Sequence, residues 1–251
     1  MQAVRMSGSG AGGPGPGPTE DRALSRGERE VRSGGEREVP NSGDVASGTD
    51  PRRPRTKAAQ RETTTAALVD AARELFAGRG YANVGTEEIV QQAGVTRGAL
   101  YHHFQGGKEE LFRAVVVQIS AETAGRVRNA ARAHDDPWNA LVRGIDAFLD
   151  ACALPEVQRV LLVDGPAVLG WDVWRTIDSE YGLGLLEGAL QRAIDAGRLP
   201  PQPARAAAHV LLGALDESAM VVARADDPRA ARAEMGQTVH RLLEGLRVPV
   251  R

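Results

Sequence analysis

The sequence is poor in cysteine and in aromatic residues. Its single cysteine, Cys152, excludes an intramolecular disulfide framework and a zinc site built from several cysteines. Aromatic residues make up 4% of the 251 positions, so aliphatic side chains and alanine must fill the core. No stretch approaches the roughly 18 consecutive apolar residues of a membrane span, and the N-terminus lacks the apolar segment of a signal peptide. These features predict a soluble, cytoplasmic protein.

The first 54 residues contain 11 glycines and 6 prolines, with no aromatic residue, no isoleucine and one leucine, Leu24. Such a segment cannot bury enough apolar surface to offset its chain entropy, so we predict a disordered tail over residues 1–54. Residues 51–57 (PRRPRTK) carry four basic side chains. This basic segment is either an arm that follows DNA phosphates or enters a minor groove, or a solvated linker.

The formal net charge of the chain is only −2, but its distribution is uneven. Residues 51–115 carry 10 basic and 7 acidic side chains, whereas the segments on either side have more acidic than basic ones. A nearly neutral chain can still present a local basic face that binds phosphates.

Apolar residues recur at helical spacing from about Ala58 onwards, for example at Leu68, Ala72 and Phe76. We find no alternating strand pattern and no repeat of fixed period. The sequence therefore predicts an all-α protein in two parts, residues 55–115 and 116–251. Helices are predicted from 58 to the glycines at 78 and 80, at 86–93 and 96–104, from 108, from 137, and at 156–168, 171–196, 204–224 and 229–247.

Two short predicted helices, Thr86–Ala93 and Thr96–Phe104, are joined by a turn at Gly94. This arrangement is typical of a helix-turn-helix, in which the second helix enters the major groove and its first residues contact base edges. The residues of the second helix that are predicted to face outward are Thr96, Arg97, Gly98, Tyr101 and His102.

The stretch from Leu75 to Phe112, above all AGVTRGALYHHF at Ala93–Phe104 and KEELF at Lys108–Phe112, resembles the DNA-binding domain of the tetracycline-repressor (TetR) family. The resemblance spans about residues 58–115 and includes apolar, glycine and aromatic positions of four helices. The segment DGPAVLGW at Asp164–Trp171 resembles the C-terminal domain of some actinobacterial members. The resemblance implies an N-terminal three-helix helix-turn-helix domain and a C-terminal helical domain for ligand binding and dimerisation.

Arg97 is the principal candidate for base recognition. Its guanidinium can make a bidentate contact with guanine, or else bind a phosphate. Gly98 would allow close approach of the backbone to DNA. Tyr101 either contacts DNA or is a half-buried interdomain tyrosine, and His102 faces DNA. His103 either contacts phosphate or packs against the fourth helix; two adjacent histidines point in different directions and do not favour a metal site.

Thr86 and Lys108 mark two departures from the family pattern. The family usually has Ser or Thr as the cap of the second helix, where this sequence has Gly85, so Thr86 either caps that helix or touches phosphate. The family spacing from the phenylalanine to the lysine is three residues, whereas Phe104 and Lys108 are four apart. Phosphate binding by Lys108 is the role that the resemblance implies.

Trp171 and Trp174 lie three positions apart on a predicted helix, with Tyr181 beyond them. Clustered aromatic residues in a sequence with few of them either line a ligand cavity or fill the core. The weaker candidates for the same cavity are Phe148, Asp164, His209 and Met220.

Apolar stripes on the last two predicted helices pack either within the monomer or against a second copy; the resemblance implies a homodimer interface there. The sequence contains no HExxH, GxSxG or GxxxxGK[ST] motif, so we predict no enzymatic activity, cofactor or metal. The predicted function is a transcriptional repressor that an unknown small-molecule effector releases from a double-stranded, pseudo-palindromic operator. The alternative is a DNA-binding or architectural protein without such an effector.

Overall fold

The computed structural model describes residues 57–247. The predictions for residues 1–54 and for the basic segment before Lys57 lie outside the described residues. Within 57–247 the chain is helical, with no strand, as predicted. The helices are α1 (Lys57–Arg79), a 3₁₀ turn (Tyr81–Asn83), α2 (Thr86–Gln92), α3 (Arg97–His103), α4 (Gly107–Arg132), α5 (Pro137–Cys152), a π-helix (Val157–Asp164), α6 (Gly165–Leu169), α7 (Trp171–Asp195), α8 (Ala204–Arg224) and α9 (Pro228–Gly245).

The segment predicted as one helix over 156–168 is divided into the π-helix and α6. Pro166 has no amide N–H to donate to the carbonyl five residues earlier, that of Leu161. The indole Nε1 of Trp174 donates to this Leu161 oxygen instead, at 2.8 Å. Gly165 makes the close approach possible, because a Cβ at this position would lie 2.9 Å from Trp174 Cδ1.

A core cluster extends from the first three helices into the second part of the chain. It unites Leu68 and Phe76 of α1 and Ile89 of α2 with Val160 of the π-helix and Trp174 of α7. Helix α4 runs through both parts, so the boundary predicted at residue 115 falls inside a continuous helix. The two parts therefore share packed apolar side chains rather than meeting through a linker.

The second core cluster lies among α5, α7, α8 and α9, with Leu149, Leu190, Leu212 and Leu243 buried at its centre. Helix α8 is long and apolar enough to cross a membrane by length and composition. It supplies many buried residues to the core, and its apolar character is that of a core helix.

Candidate nucleic-acid interface and cavity

The helix-turn-helix is formed by α2, α3 and the turn between them. Gly94 in this turn has a φ of 66°, a left-handed conformation that favours glycine. Thr96 caps α3, because its hydroxyl accepts a hydrogen bond from the Ala99 amide at 3.2 Å. Leu100 is fully buried on the inner face of α3, so the opposite face of this helix is directed to solvent.

Arg97 begins α3 and is exposed. Its Nη1 donates to Oε1 of Glu87 on α2 at 2.8 Å, and its guanidinium carbon lies 5.8 Å from the centroid of the Tyr101 ring. Tyr101 is 43% exposed, and His102 is exposed beside it. All five residues predicted to face outward on α3 are thus accessible together, and their contact with DNA stays a prediction.

Gly98 has room for a side chain. A Cβ at this position would meet only the Thr96 hydroxyl, at 3.9 Å. Packing within the protein therefore does not require glycine here, and close approach of DNA remains the reason that the sequence indicates.

The structure gives the other three candidates contacts within the protein, and their contact with phosphate stays a prediction. His103 contacts α1, where its Nδ1 lies 3.0 Å from the Thr65 hydroxyl, rather than the fourth helix; burial lowers the pKa of its ring. Lys108 Nζ lies 3.9 Å from the centroid of the Tyr81 ring, and burial lowers its pKa. Thr86 is the first residue of α2 and does not cap it: Gly85 is the cap residue, and its amide donates to Glu88 at 3.0 Å.

The spacing from Phe104 to Lys108 is one residue longer than in the family pattern. This segment contains Gly107, which has a φ of 64°. This residue is buried, and a Cβ there would lie 3.1 Å from Tyr101 Cε1. The additional residue is therefore accommodated by a left-handed glycine under the Tyr101 ring, and Lys108 is turned onto Tyr81.

Polar contacts tie α1 to the second part of the chain. Arg73 of α1 donates to both oxygens of Glu156, at 2.6 and 3.0 Å, and to both oxygens of Glu122 on α4, at 2.5 and 2.8 Å. Asp164, at the end of the π-helix, accepts a hydrogen bond from the Tyr81 amide at 2.8 Å. The two ends of the π-helix thus both contact the helix-turn-helix part.

A cavity of about 480 Å³ lies among α4, α5, α7 and α8, a volume typical of small-molecule sites. Phe148 of α5 and Tyr181 of α7 line it, as the sequence predicts. Leu161 of the π-helix contributes to its wall, so this element reaches both the cavity and the helix-turn-helix part.

The other five cavity candidates lie outside this cavity, which corrects the prediction. Trp171 is 55% exposed and packs against Trp174, with ring centroids 5.0 Å apart. Trp174 and Met220 are buried in the first core cluster. Asp164 bonds to the Tyr81 amide, and His209 is exposed on α8.

Sequence reasoning missed the polar lining of the cavity. Ser120 and Thr123 of α4 and Asp178 of α7 line it, as do three exposed arginines. On α7 the lining positions recur every three or four residues, a helical stripe that could have been found from the sequence. The arginines are Arg128 and Arg132 on α4 and Arg192 on α7.

Asp178 belongs to a half-buried charged network. Arg175 donates to Asp178 at 2.8 Å and also to Asp216 of α8. Burial raises the pKa of both carboxyl groups, because desolvation disfavours the charged form more than one shared guanidinium favours it. Among residues 57–247, no group of three or more His, Cys, Asp or Glu side chains is arranged to hold a metal ion.

Two family models match the chain. Residues 68–115, which contain α2 and α3, match the model of bacterial regulatory proteins of the tetR family. Residues 138–246, from α5 to the end of α9, match that of the tetracyclin repressor-like C-terminal domain. The two matches correspond to the helix-turn-helix part and to the part with the cavity.

Similar proteins agree with these matches. A TetR-family transcriptional regulator of Pectobacterium atrosepticum is 34% identical, with a TM-score of 0.69, and the aligned region covers 78% of this chain and 100% of that one. The HTH-type regulator SrpR of Pseudomonas putida is 30% identical over 58% of this chain and 68% of its own length. The HTH-type repressor BepR of Brucella suis is 37% identical over 43% and 51%, respectively. The chain is a transcriptional regulator that belongs to the TetR family.

Proposed function

We propose that this regulator is a cytoplasmic repressor that binds a pseudo-palindromic operator as a homodimer and is released by a small-molecule effector. The observation that carries this proposal is the combination of an exposed α3 with a cavity of about 480 Å³. A DNA-binding surface and a ligand site of ordinary size lie in parts of the chain that share one core cluster.

Dimerisation through α8 and α9 is supported by apolar side chains that the monomer leaves exposed. Val210 and Val221 on α8 are 74% and 39% exposed, and Leu242 on α9 is 54% exposed. A twofold dimer would present its two α3 helices to half-sites one DNA turn apart, about 34–36 Å. Repression follows simply from occupancy of a promoter by such a dimer.

Release requires that the effector prefer one of two conformations of the protein. We propose that the π-helix transmits ligand binding from the cavity to the helix-turn-helix part. Leu161 of this helix lines the cavity, while Glu156 and Asp164 at its two ends contact α1 and the 3₁₀ turn. An effector that displaces Leu161 would thereby alter the position of the helix-turn-helix part. The cavity favours this function over that of an architectural DNA-binding protein without an effector.

The test is selection of bound DNA from a random pool at a fixed salt concentration, with the full chain and with Arg97→Ala. We expect a pseudo-palindrome for the unmodified protein. Arg97→Ala should weaken binding to it about five- to 150-fold and relax the preference at one position of each half-site.

Arg126→Ala, which removes an exposed arginine from the second half of α4 and lies outside α8 and α9, is the control and should leave both properties unchanged. No enriched motif for the unmodified protein would contradict the proposed function. An unchanged base preference in Arg97→Ala would contradict only the role of Arg97.

A further inference from the structure

The cavity has two ends of different chemistry. Along α7 its lining runs from Asp178 to Arg192, 14 positions or about 21 Å apart. Along α4 it runs from Ser120 to Arg132, 12 positions or about 18 Å apart. Ser120 is buried and Asp178 is half-buried, whereas both arginines are exposed. The cavity is therefore elongated, with an inner end near Ser120 and Asp178 and a mouth near Arg132 and Arg192.

The mouth is positively charged. Arg128, Arg132 and Arg192 all line it and are exposed, and among the described residues none of the three has an ion-pair partner. Asp135 is the one acidic side chain among the lining residues at this end, and His134 lies beside it. Three guanidinium groups around one opening attract anions and repel cations.

The middle of the cavity is apolar. Its wall there is made by aliphatic and aromatic side chains from α4, α5, α7 and α8, among them Val127, Ile145, Phe148, Leu186 and Leu212. A ligand that fills this part must have an apolar body.

The inner end offers hydrogen-bonding groups that lack a full set of partners. Ser120 is 6% exposed, and its hydroxyl has no hydrogen-bond partner within the described residues. Asp178 shares the single guanidinium of Arg175 with Asp216. A purely apolar ligand end would leave the Ser120 hydroxyl and the Asp178 carboxyl desolvated, whereas a ligand hydroxyl can bond to both.

We infer that the effector is an amphipathic anion with an apolar body, whose acidic group lies at Arg128, Arg132 and Arg192 and whose far end bears a hydroxyl that meets Ser120 and Asp178. This inference rests on the proposed function only in taking the cavity as the effector site. Carboxylate and phosphate are both compatible with the three arginines.

The test uses four probes with the same twelve-carbon body: 12-hydroxydodecanoate, dodecanoate, the neutral methyl dodecanoate, which has no hydroxyl, and dodecyltrimethylammonium. Their dissociation constants for the full-length protein are measured below the micellar range by displacement of anilinonaphthalene sulfonate. We expect affinity to fall in the order given, with at least about a tenfold loss from dodecanoate to methyl dodecanoate and again from methyl dodecanoate to the cation. Dodecyl phosphate in place of dodecanoate distinguishes the two anionic groups.

Two variants assign each end of the probe to its residues. The triple variant Arg128→Gln, Arg132→Gln and Arg192→Gln changes exposed side chains, so we expect it to fold. It should abolish the advantage of dodecanoate over methyl dodecanoate and keep the advantage of 12-hydroxydodecanoate over dodecanoate. Ser120→Ala should keep the affinity advantage of the carboxylate and abolish that of the terminal hydroxyl. Arg126→Gln changes an exposed arginine of α4 outside the cavity lining and should alter neither advantage.

Equal affinity for the four probes, tighter binding of the cation, or no binding of any probe would overturn the inference. A carboxylate advantage that survives in the triple arginine variant would overturn it as well. Operator binding is measured in parallel without probe. If one of these contrary results is found while operator binding is retained, the inferred class of effector is wrong and the DNA-binding function stands. If the probes bind as expected but do not release the operator, the effector role of the cavity is wrong.

Discussion

At the scale of the residue, Arg97 is held by an acidic neighbour in the free protein. Its ion pair with Glu87 joins two exposed side chains across the helix-turn-helix, and such exposed pairs contribute little to stability. In the proposed complex, where Arg97 contacts DNA, the neighbouring Glu87 carboxylate would also repel phosphates. Glu87→Gln should therefore leave the unfolding temperature unchanged and tighten operator binding about two- to fivefold, as measured by fluorescence anisotropy at constant salt.

Glu180→Gln, an equal change of charge on an exposed position of α7, is the matched control and should leave operator affinity unchanged. Weaker binding by Glu87→Gln would contradict the prediction. It would indicate that Glu87 orients Arg97 for base contact rather than competing with DNA for its guanidinium.

At the scale of the element, the π-helix depends on a glycine at its end. A Cβ at Gly165 would lie 2.9 Å from Trp174 Cδ1 and 3.2 Å from the Val160 carbonyl oxygen. Gly165→Ala should push the indole away from Leu161 and break its 2.8 Å hydrogen bond. We expect a loss of about 1–3 kcal/mol in the free energy of unfolding, with a change in tryptophan fluorescence. Both are measured by denaturant titration.

Gly184→Ala is the matched control, because Gly184 is an exposed helical glycine of α7 and a Cβ at this position would meet nothing within 4 Å. This change should stabilise the protein by about 0.5–1 kcal/mol, since alanine favours a helix more than glycine does. Equal stabilisation by both substitutions would contradict the prediction. It would show that Trp174 can move away from position 165 without a loss in the free energy of unfolding.

At the scale of the whole molecule, local signals allowed the helices to be predicted from the sequence. Gly94 and the Thr96 cap act within a few residues of the chain, so the start of α3 and the turn before it could be predicted directly. The division at Pro166 and the place of Lys108 could not, since they depend on contacts with Trp174 and Tyr81 from other segments. The cavity was predicted only at Phe148 and Tyr181 for the same reason.

The tryptophan pair illustrates why the remainder of the cavity was missed. An aromatic residue at helical spacing has the same local pattern in a core as in a ligand site. Trp174 is 1% exposed and fixes the π-helix, while Trp171 beside it is 55% exposed. Only the packing of α7 against α4 and α5 decides which stripe of α7 faces the open space, and that stripe begins at Asp178.

The oligomeric state is also a property of the whole molecule, and the exposed apolar residues of α8 and α9 make it testable. Val210→Glu should place a charge in the proposed interface, where burial without a partner is costly, and should convert the dimer to a monomer in analytical ultracentrifugation. Val173→Glu changes a valine of α7 that is 40% exposed outside these two helices, and should leave the dimer intact.

A monomer presents one α3, so Val210→Glu should lose most of its affinity for the full operator yet bind a single half-site as weakly as the unmodified protein does. A dimer that persists in Val210→Glu and dissociates in Val173→Glu would move the interface away from α8 and α9.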